Sequence, residues 1–503
     1  MNKRTLILIG FIILKFVLQY VLISPEYDLQ RDEYLHLDQA NHLAWGYLSV
    51  PPVTSWFSYI ILLLGNSVFW VKFFPALFGV LTLLIVWKTI ELLKGNLYAL
   101  VLGAAGIVFS SLLRINMLYQ PNSFDVLCWT AFYYILVQYI ISKKTKWLYI
   151  GAVVFAFGFL NKYNILFLLI GLLPALILSK QRKILADKNV YFALFLGLIL
   201  ILPNLLWQYN NQFPIVHHMK ELAETQLVNV NRADFLKEQF LFFIGSLFVI
   251  LASFYALLFY KPFEKFKFFF ASIIFTILVF LYFKAKAYYA IGLYPVYIAF
   301  GSVFLSDVLK TGWKRYLKPV FIALPLLFFV PMYYLAFPNR SPEKLVAEKL
   351  ETHRWEDGKE HDLSQDFADM LGWKELARKT DSVYALFPKS ENTLVLCDNY
   401  GQAGAINFYT KKGIKAVSFN ADYVNWFNLN IYYKNLIRVK TFEENSTEFK
   451  ETSPFFQSAF IAGEITNKYA REYKTTIFVF TNAKININKR LEQEIKEEKN
   501  YAD

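Results

Sequence analysis

Long apolar runs separated by short polar breaks fill the first two thirds of the chain, at 6–23, 68–93, 97–113, 124–141, 147–161, 163–179, 190–207, 237–260, 268–283, 287–309 and 319–336. A run without a polar face predicts a helix immersed in lipid, and about 20 residues are needed to cross about 30 Å of hydrocarbon. Several runs are only marginally long by that measure. A further apolar piece, Val53 to Leu64, follows a Pro-Pro pair and is short enough to predict an interfacial or re-entrant helix. The first run follows Lys3 and Arg4 but has no small-residue cleavage site, which predicts a retained signal-anchor helix with its amino end in the cytoplasm.

Basic residues between the runs test the topology. If eleven helices cross, Lys88 and Lys94, Lys143, Lys144 and Lys146, Lys180, Arg182 and Lys183, Lys261, Lys265 and Lys267, and Lys314, Arg315 and Lys318 all fall on one side. Cytoplasmic loops carry the excess of Lys and Arg, so that side is the cytoplasm. The outer side then receives 24–66, 114–123, the turn near 161–163, 208–236, Lys284 and Lys286, and everything beyond Phe337.

Beyond about 338 the pattern changes period. TLVLCDNY (393–400), GIKAVSF (413–419) and TTIFVFTNA (475–483) read as short strands, with AGAINFYTK (403–411) as a helix between the first two. That alternation predicts a small α/β domain over 338–503, ending in a solvated helix over 488–500. GQAG at 401–404 lacks both the P-loop and the dinucleotide spacing, so no nucleotide loop is indicated.

Composition agrees: 56% of residues are hydrophobic and 19% aromatic, with a mean hydropathy of +0.35, against about 45 to 50% apolar in soluble domains. The net charge of +13 would suit nucleic acid only on a basic face of a soluble module, whereas here the cations punctuate apolar runs. Nucleic-acid binding is therefore excluded. Cys128 and Cys397 imply neither a disulfide framework nor a thiolate metal cluster.

Candidate chemistry concentrates where polar residues meet the apolar runs. The interval 25–52 holds Asp32 and Glu33, then Tyr34, His36, Asp38 and His42; on a helix, Asp32 and His36 share a face, as do Asp38 and His42. A carboxylate there can take a proton from an incoming hydroxyl or amine; the alternative is a merely solvated loop. Arg114, followed by Asn116, Met117 and Tyr119, can pair with a lipid phosphate or with an acid, or can snorkel from a helix end. Asp125 lies just inside an apolar run, where an unpaired carboxylate is costly, so pairing, metal binding or a place at the water boundary are all open. Lys162, Lys284 and Lys286 run against the inside bias and can stabilise a leaving phosphate or serve as interfacial anchors. His217 and His218 can orient substrate or bind metal, but adjacent histidines seldom converge on one ion, which favours packing.

RDEYLHLDQANHLAWGYLSVPP (31–52) resembles the first exoplasmic loop of bacterial family 39 glycosyltransferases, related to protein O-mannosyltransferases and the aminoarabinose transferases of lipid A. Further similarities are LLRINMLYQPNSFDVLCW (112–129), FGFLNKYNILFLL (157–169), LPNLLWQYNNQFPIVHH (202–218) and KAKAYYAIGLYP (284–295), in family order. The resemblance implies a polytopic all-α GT-C membrane domain over 1–337, with about eleven or more transmembrane helices and a first exoplasmic loop at 24–66, followed by the small α/β exoplasmic domain at 338–503. It implies a bacterial inner-membrane enzyme moving a sugar from a polyprenyl-phosphate donor to a lipid, glycan or protein acceptor, by one inverting displacement. In that scheme Asp32 is the acceptor-activating acid with Glu33 beside it, and Arg114, Lys162 and Lys286, with Lys284 nearby, meet the donor phosphate. Tyr34, His36, Asp125, His217 and His218 are substrate-facing or structural residues. Family members often carry an acid directly after the segment matching MLYQP; here Asn122 stands in that neighbourhood and Asp125 follows later, which leaves a divalent metal (Mg, Mn or Zn) on Asp32 and Asp125 open.

Two other classes fit an all-helical membrane chain. A secondary transporter or flippase of a lipid-linked sugar would use Asp125 and the cations as an ion pathway, against which stand the lack of an internal repeat and the acid-bearing first loop. An assembly subunit with a degraded site would not need the intact Asp32 and Glu33 pair.

Overall fold

The structure is a computed structural model that describes residues 2–225, 227–348, 353–355, 358–388, 392–442 and 445–499. Every long apolar run is helical. Among the described residues six helices are long and apolar enough to cross a bilayer: Lys3–Val21, Val68–Leu92, Pro121–Ser142, Lys188–Asn210, Ala287–Val308 and Trp313–Leu335. Two more candidates are bent pairs, Ile165–Ile177 with Lys180–Ala186 at 112° and Arg232–Leu241 with Ile244–Phe259 at 63°. The remaining runs form Leu97–Val108, Lys146–Asn161 and Phe268–Tyr282, of 12, 16 and 15 residues. At about 1.5 Å per residue these are shorter than the hydrocarbon is thick. Eleven helical runs are thus present, while length and composition qualify six to eight of them as spans. The short piece after the Pro-Pro pair is the helix Val53–Leu63.

Local chemistry sets the helix ends. Asn2 caps Lys3–Val21 by accepting from the Thr5 N–H, and Asp187 caps Lys188–Asn210 through the Asn189 N–H. Pro121 opens its helix at a position where the missing N–H costs nothing, and Lys143 closes the same helix in the left-handed conformation. Leu6, Ile13 and Val17 of the first helix and Leu194, Phe195, Leu198 and Ile199 of Lys188–Asn210 are exposed, which in this setting is a lipid-facing surface.

The chain divides into two compact units. One comprises Met1–Leu22, Val50–Thr54 and Val71–Phe337; the other comprises Ile23–Ser49, Ser55–Trp70 and Pro338–Asp503. Apart from Val50–Thr54, the first loop, which the sequence reading took with the membrane domain, groups here with the C-terminal residues. The cause is visible in its backbone: Ser24 N–H donates to the Pro338 carbonyl (2.7 Å), Asp28 N–H to Met370 (2.7 Å) and Arg31 N–H to Asp369 (3.1 Å). A loop of 24–66 cannot satisfy those groups alone.

Within the second unit a five-stranded sheet has the spatial order Val417–Ser418, Thr393–Cys397, Asn435–Lys440, Thr476–Ala483, Phe456–Glu464. The first three strands run parallel and the last two pair antiparallel. Helix Tyr400–Tyr409 makes the crossover between Thr393–Cys397 and Val417–Ser418, as parallel neighbours require. One face buries Leu394, Leu396, Leu436, Phe478 and Phe480 against Ile487 and Leu491 of the final helix, Ile487–Lys499; residue 500, which the sequence reading placed at its end, lies outside the described residues. The strand expected over 413–419 shrinks to Val417–Ser418, and the one expected over 393–400 stops at Cys397 because Asn399 caps the following helix.

Candidate active site

Two polar groups stand out, one in each unit. In the second unit the helix Arg31–Asp38 carries the paired acids. Gln30 caps it: the Gln30 side chain accepts from the Asp32 N–H (2.9 Å), and Glu33 Oε2 reaches back to the Gln30 N–H (2.6 Å). Glu33 is fully buried and closes this capping box. Asp32 is different. Its side chain is 42% exposed, and Oδ1 accepts the Tyr400 hydroxyl at 2.6 Å. Arg31 donates to that hydroxyl from Nε (3.0 Å) and Nη2 (2.6 Å). Burial and the nearby Asp32 charge push the Tyr400 hydroxyl above its usual range, so it remains a proton donor at neutral pH.

Tyr34 is also buried, edge-on to Trp373 and Tyr409, and acts as packing. His36 lies near Asp32, as four-residue spacing implies; burial holds its imidazole below the ordinary range, opposed by the charge of Asp32. The other acids of the loop fasten it. Asp28 accepts from the N–H groups of Trp373 (3.0 Å) and Lys374 (3.1 Å) at the start of helix Trp373–Tyr384. Asp38 takes the Tyr423 hydroxyl (2.8 Å) and the Asn407 amide (2.6 Å), and His42 stacks on Trp426 with centroids 4.2 Å apart. Asp422 takes the Leu48 N–H (2.8 Å) and the Gln39 amide (3.0 Å), and burial pushes its carboxyl up to about 6.

In the first unit, Asp125 and Lys162 come together. Asp125 is buried, accepting from Trp129 Nε1 (3.0 Å) and Asn164 Nδ2 (2.8 Å). Lys162 Nζ donates to Asn122 Oδ1 (2.8 Å) and sits over the Tyr289 ring at 4.1 Å and the Tyr288 ring at 5.2 Å. Asp125 attracts it electrostatically, and Lys286 lies close enough to repel it; the charge of Lys286 also reaches His218. His217 and His218 are neighbours on helix Pro214–Thr225, both partly buried. Lys284 sits at a turn with φ 51°, after helix Phe268–Tyr282. Lys162 therefore lies within electrostatic reach of both Asp125 and Lys286, and His218 within reach of Lys286.

Arg114 belongs to a single helical turn, Leu112–Ile115, and that turn is pinned from both sides. Gln19 Nε2 donates to the Leu113 carbonyl (3.1 Å), Lys15 Nζ to Asn116 Oδ1 (2.9 Å) and Gln19 Oε1 (3.0 Å), and Lys72 Nζ to the Met117 carbonyl (3.0 Å). Both lysines are buried, at a cost of about 2.5 to 3.5 kcal/mol each in a bilayer, offset by charge-assisted bonds of about 1.5 to 3 kcal/mol. Sequence reading passed over Lys15, Gln19 and Lys72. A lysine inside an apolar run is the signal that could have found them.

A divalent metal was open on Asp32 and Asp125. Among the described residues no three His, Cys, Asp or Glu side chains gather as a metal site, and both Asp125 oxygens already take N–H donors.

Comparison with known proteins bears out the family resemblance read from the sequence. Residues 49–207 match the dolichyl-phosphate-mannose-protein mannosyltransferase family. Over 206 residues the chain is 24% identical to the lipid A galacturonosyltransferase RgtD of Rhizobium johnstonii, covering 39% of this chain and 43% of that relative. The chain thus aligns with less than half of the relative's length. Two crystal structures of ArnT from Cupriavidus metallidurans, one bound to undecaprenyl phosphate and one apo, share the fold over 95% of this chain and 98% of theirs, with TM-scores of 0.64 and 0.62 at 11% and 10% identity. The fold is GT-C, the chain a multi-pass membrane protein, and the matches favour sugar transfer over transport.

Proposed function

We propose, from the family match over 49–207 and the fold shared with ArnT, that this chain is an inverting glycosyltransferase. It takes a sugar from a polyprenyl phosphate and passes it to a lipid, glycan or protein acceptor at the exoplasmic face of the bacterial inner membrane. The observation that carries the reading is the half-exposed Asp32 carboxylate, held by Tyr400 while the other acids around it are committed to structure.

The reaction is one displacement. The acceptor oxygen or nitrogen attacks the anomeric carbon as its proton passes to Asp32, and the bond from that carbon to the phosphate oxygen breaks with its electron pair leaving on the phosphate. Charge develops on the leaving phosphate. Lys162, held between Asn122 and the Tyr289 face, meets it with Lys286 and Arg114, which suits cations fixed before the charge appears. Asp125 accepts from Asn164 and draws Lys162 electrostatically.

The test uses purified full-length protein, undecaprenyl-phosphate-linked mannose, aminoarabinose or galacturonic acid, and a membrane extract as acceptor. Wild type releases undecaprenyl phosphate and labels the extract; Asp32→Asn loses about 100-fold or more of that turnover, the scale of general-base catalysis. Movement of an intact lipid-linked sugar without release of undecaprenyl phosphate would instead establish transport.

A further inference from the structure

We infer that Tyr400 is a positioning residue for Asp32, delivered to it by the GQAG segment of the C-terminal domain. The inference rests on the proposed role of Asp32 as the acceptor-activating base.

A tyrosine hydroxyl has one proton and two lone pairs. Arg31 supplies two N–H groups to the Tyr400 oxygen, at 3.0 and 2.6 Å, which fills the acceptor side. The single proton then goes to Asp32 Oδ1 at 2.6 Å. Arg31 Nε stands 3.9 Å from that oxygen, an ion pair without a hydrogen bond, so its hydrogen bonding reaches the carboxylate through the tyrosine. The three groups form a directed chain in which the proton of Tyr400 has one destination and the carboxylate is turned to receive it.

The sequence around Tyr400 explains how a residue 368 positions away reaches this point. Tyr400 opens helix Tyr400–Tyr409, whose N-cap is Asn399, accepting from the Gln402 N–H at 3.0 Å. A Cβ at Gly401 would lie 2.5 Å from Arg31 Cγ, and one at Gly404 would lie 2.7 Å from Tyr34 Cβ. Only hydrogen fits at either place. Gln402, between them, ties the helix start down by accepting from the Asp398 N–H (3.0 Å) and donating to Glu472 (2.8 Å). The GQAG segment, which lacks a nucleotide-loop spacing, is therefore a contact surface: two glycines bring its helix against Arg31–Asp38, and the residue before them carries the hydroxyl.

A base must hold its oxygen within about 2.6 to 3.2 Å of the proton it removes, and misplacement by about 1 Å costs on the order of 100-fold. Loss of the Tyr400 hydroxyl removes that restraint without removing the carboxylate. The experiment compares full-length wild type, Tyr400→Phe, Asp32→Asn and the double variant in the undecaprenyl-phosphate release assay, with thermal midpoints alongside. Tyr400→Phe is expected to lower kcat by about 10- to 100-fold with donor and acceptor KM unchanged, to lower the thermal midpoint modestly because the two Arg31 N–H groups lose their acceptor, and to cause no further loss of kcat in the Asp32→Asn background. Wild-type kcat in Tyr400→Phe, or losses that multiply in the double variant, would overturn the inference while leaving Asp32 in place. A lowered midpoint with raised KM and intact kcat would also overturn it, by showing packing alone. Full turnover in Asp32→Asn would instead remove the reading of Asp32 on which the inference rests.

Discussion

Replacing Gly404 by alanine tests whether helix contact in the C-terminal domain governs the acid. The added Cβ would stand 2.7 Å from both Tyr34 Cβ and the Tyr423 hydroxyl, and 3.0 Å from the Tyr34 carbonyl carbon. Comfortable carbon contacts lie at about 3.5 to 4.0 Å, so the shortfall is roughly 1 Å. Neither neighbour yields easily: Tyr34 is fully buried, and the Tyr423 hydroxyl is bonded to Asp38 at 2.8 Å. Overpacking of this kind costs about 1 to 3 kcal/mol, against about 1 kcal/mol gained by alanine over glycine inside a helix. The net loss of stability is then about 0 to 2 kcal/mol. The functional loss is larger, because parting the two helices by about 1 Å would stretch the 2.6 Å bond from Tyr400 to Asp32 past the hydrogen-bond range. Initial rates of undecaprenyl phosphate release should fall about 10-fold or more while the thermal midpoint drops only slightly. Gly463→Ala, whose Cβ would meet only Lys379 Cδ at 3.7 Å, is the matched control and should retain its rate. Unchanged turnover in Gly404→Ala would refute the argument from close approach.

Lys162→Met should raise donor KM about 10- to 100-fold, the worth of one charge-assisted contact, in a titration of undecaprenyl-phosphate-linked sugar; Lys162→Arg should recover only part, since a planar fork does not replace a compact ammonium between Asn122 and Tyr289. Asp422→Asn should flatten the pH dependence of stability. The Asp422 carboxyl rises from 3.8 to about 6 in the fold, so it favours the folded state fully below pH 3.8 and loses about 3 kcal/mol as pH climbs through 6, which thermal midpoints at pH 4 and 7 will read. Lys15→Met should leave the Gln19 and Asn116 side-chain oxygens without their shared donor, costing about 1 to 3 kcal/mol in thermal stability and raising donor KM through the Arg114 turn; a variant with unchanged KM would separate that turn from donor binding.

Sequence was most legible where one period dominates. The apolar runs announced the apolar helices of the membrane unit, because a lipid-facing side chain leaves little choice of residue, but not Pro214–Thr225, which lies in the polar interval 208–236. Strands Thr393–Cys397 and Thr476–Ala483 were legible for the same reason, being buried along most of their length. Asn435–Lys440 and Phe456–Glu464 were not: the first carries Arg438 and Lys440, and the second is an edge strand with mostly exposed side chains. Of the site, Asp32 and Lys162 were visible as charges in unusual places, whereas the commitment of Glu33 to a cap depended on Gln30 and on burial that spacing cannot display. Tyr400 was hidden among 33 tyrosines, and nothing short of the fold brings it to Asp32.

Synthesis separates the acid loop from the side chains that hold it: Trp373, Tyr400 and Tyr423 follow their partners Asp28, Asp32 and Asp38 by 345, 368 and 385 residues. At about 5 to 20 residues per second, that interval lasts roughly 20 to 80 s. Until those later residues emerge, Asp28, Asp32 and Asp38 lack the partners that fix them, so the fold of this early loop waits on strands and helices made long after it.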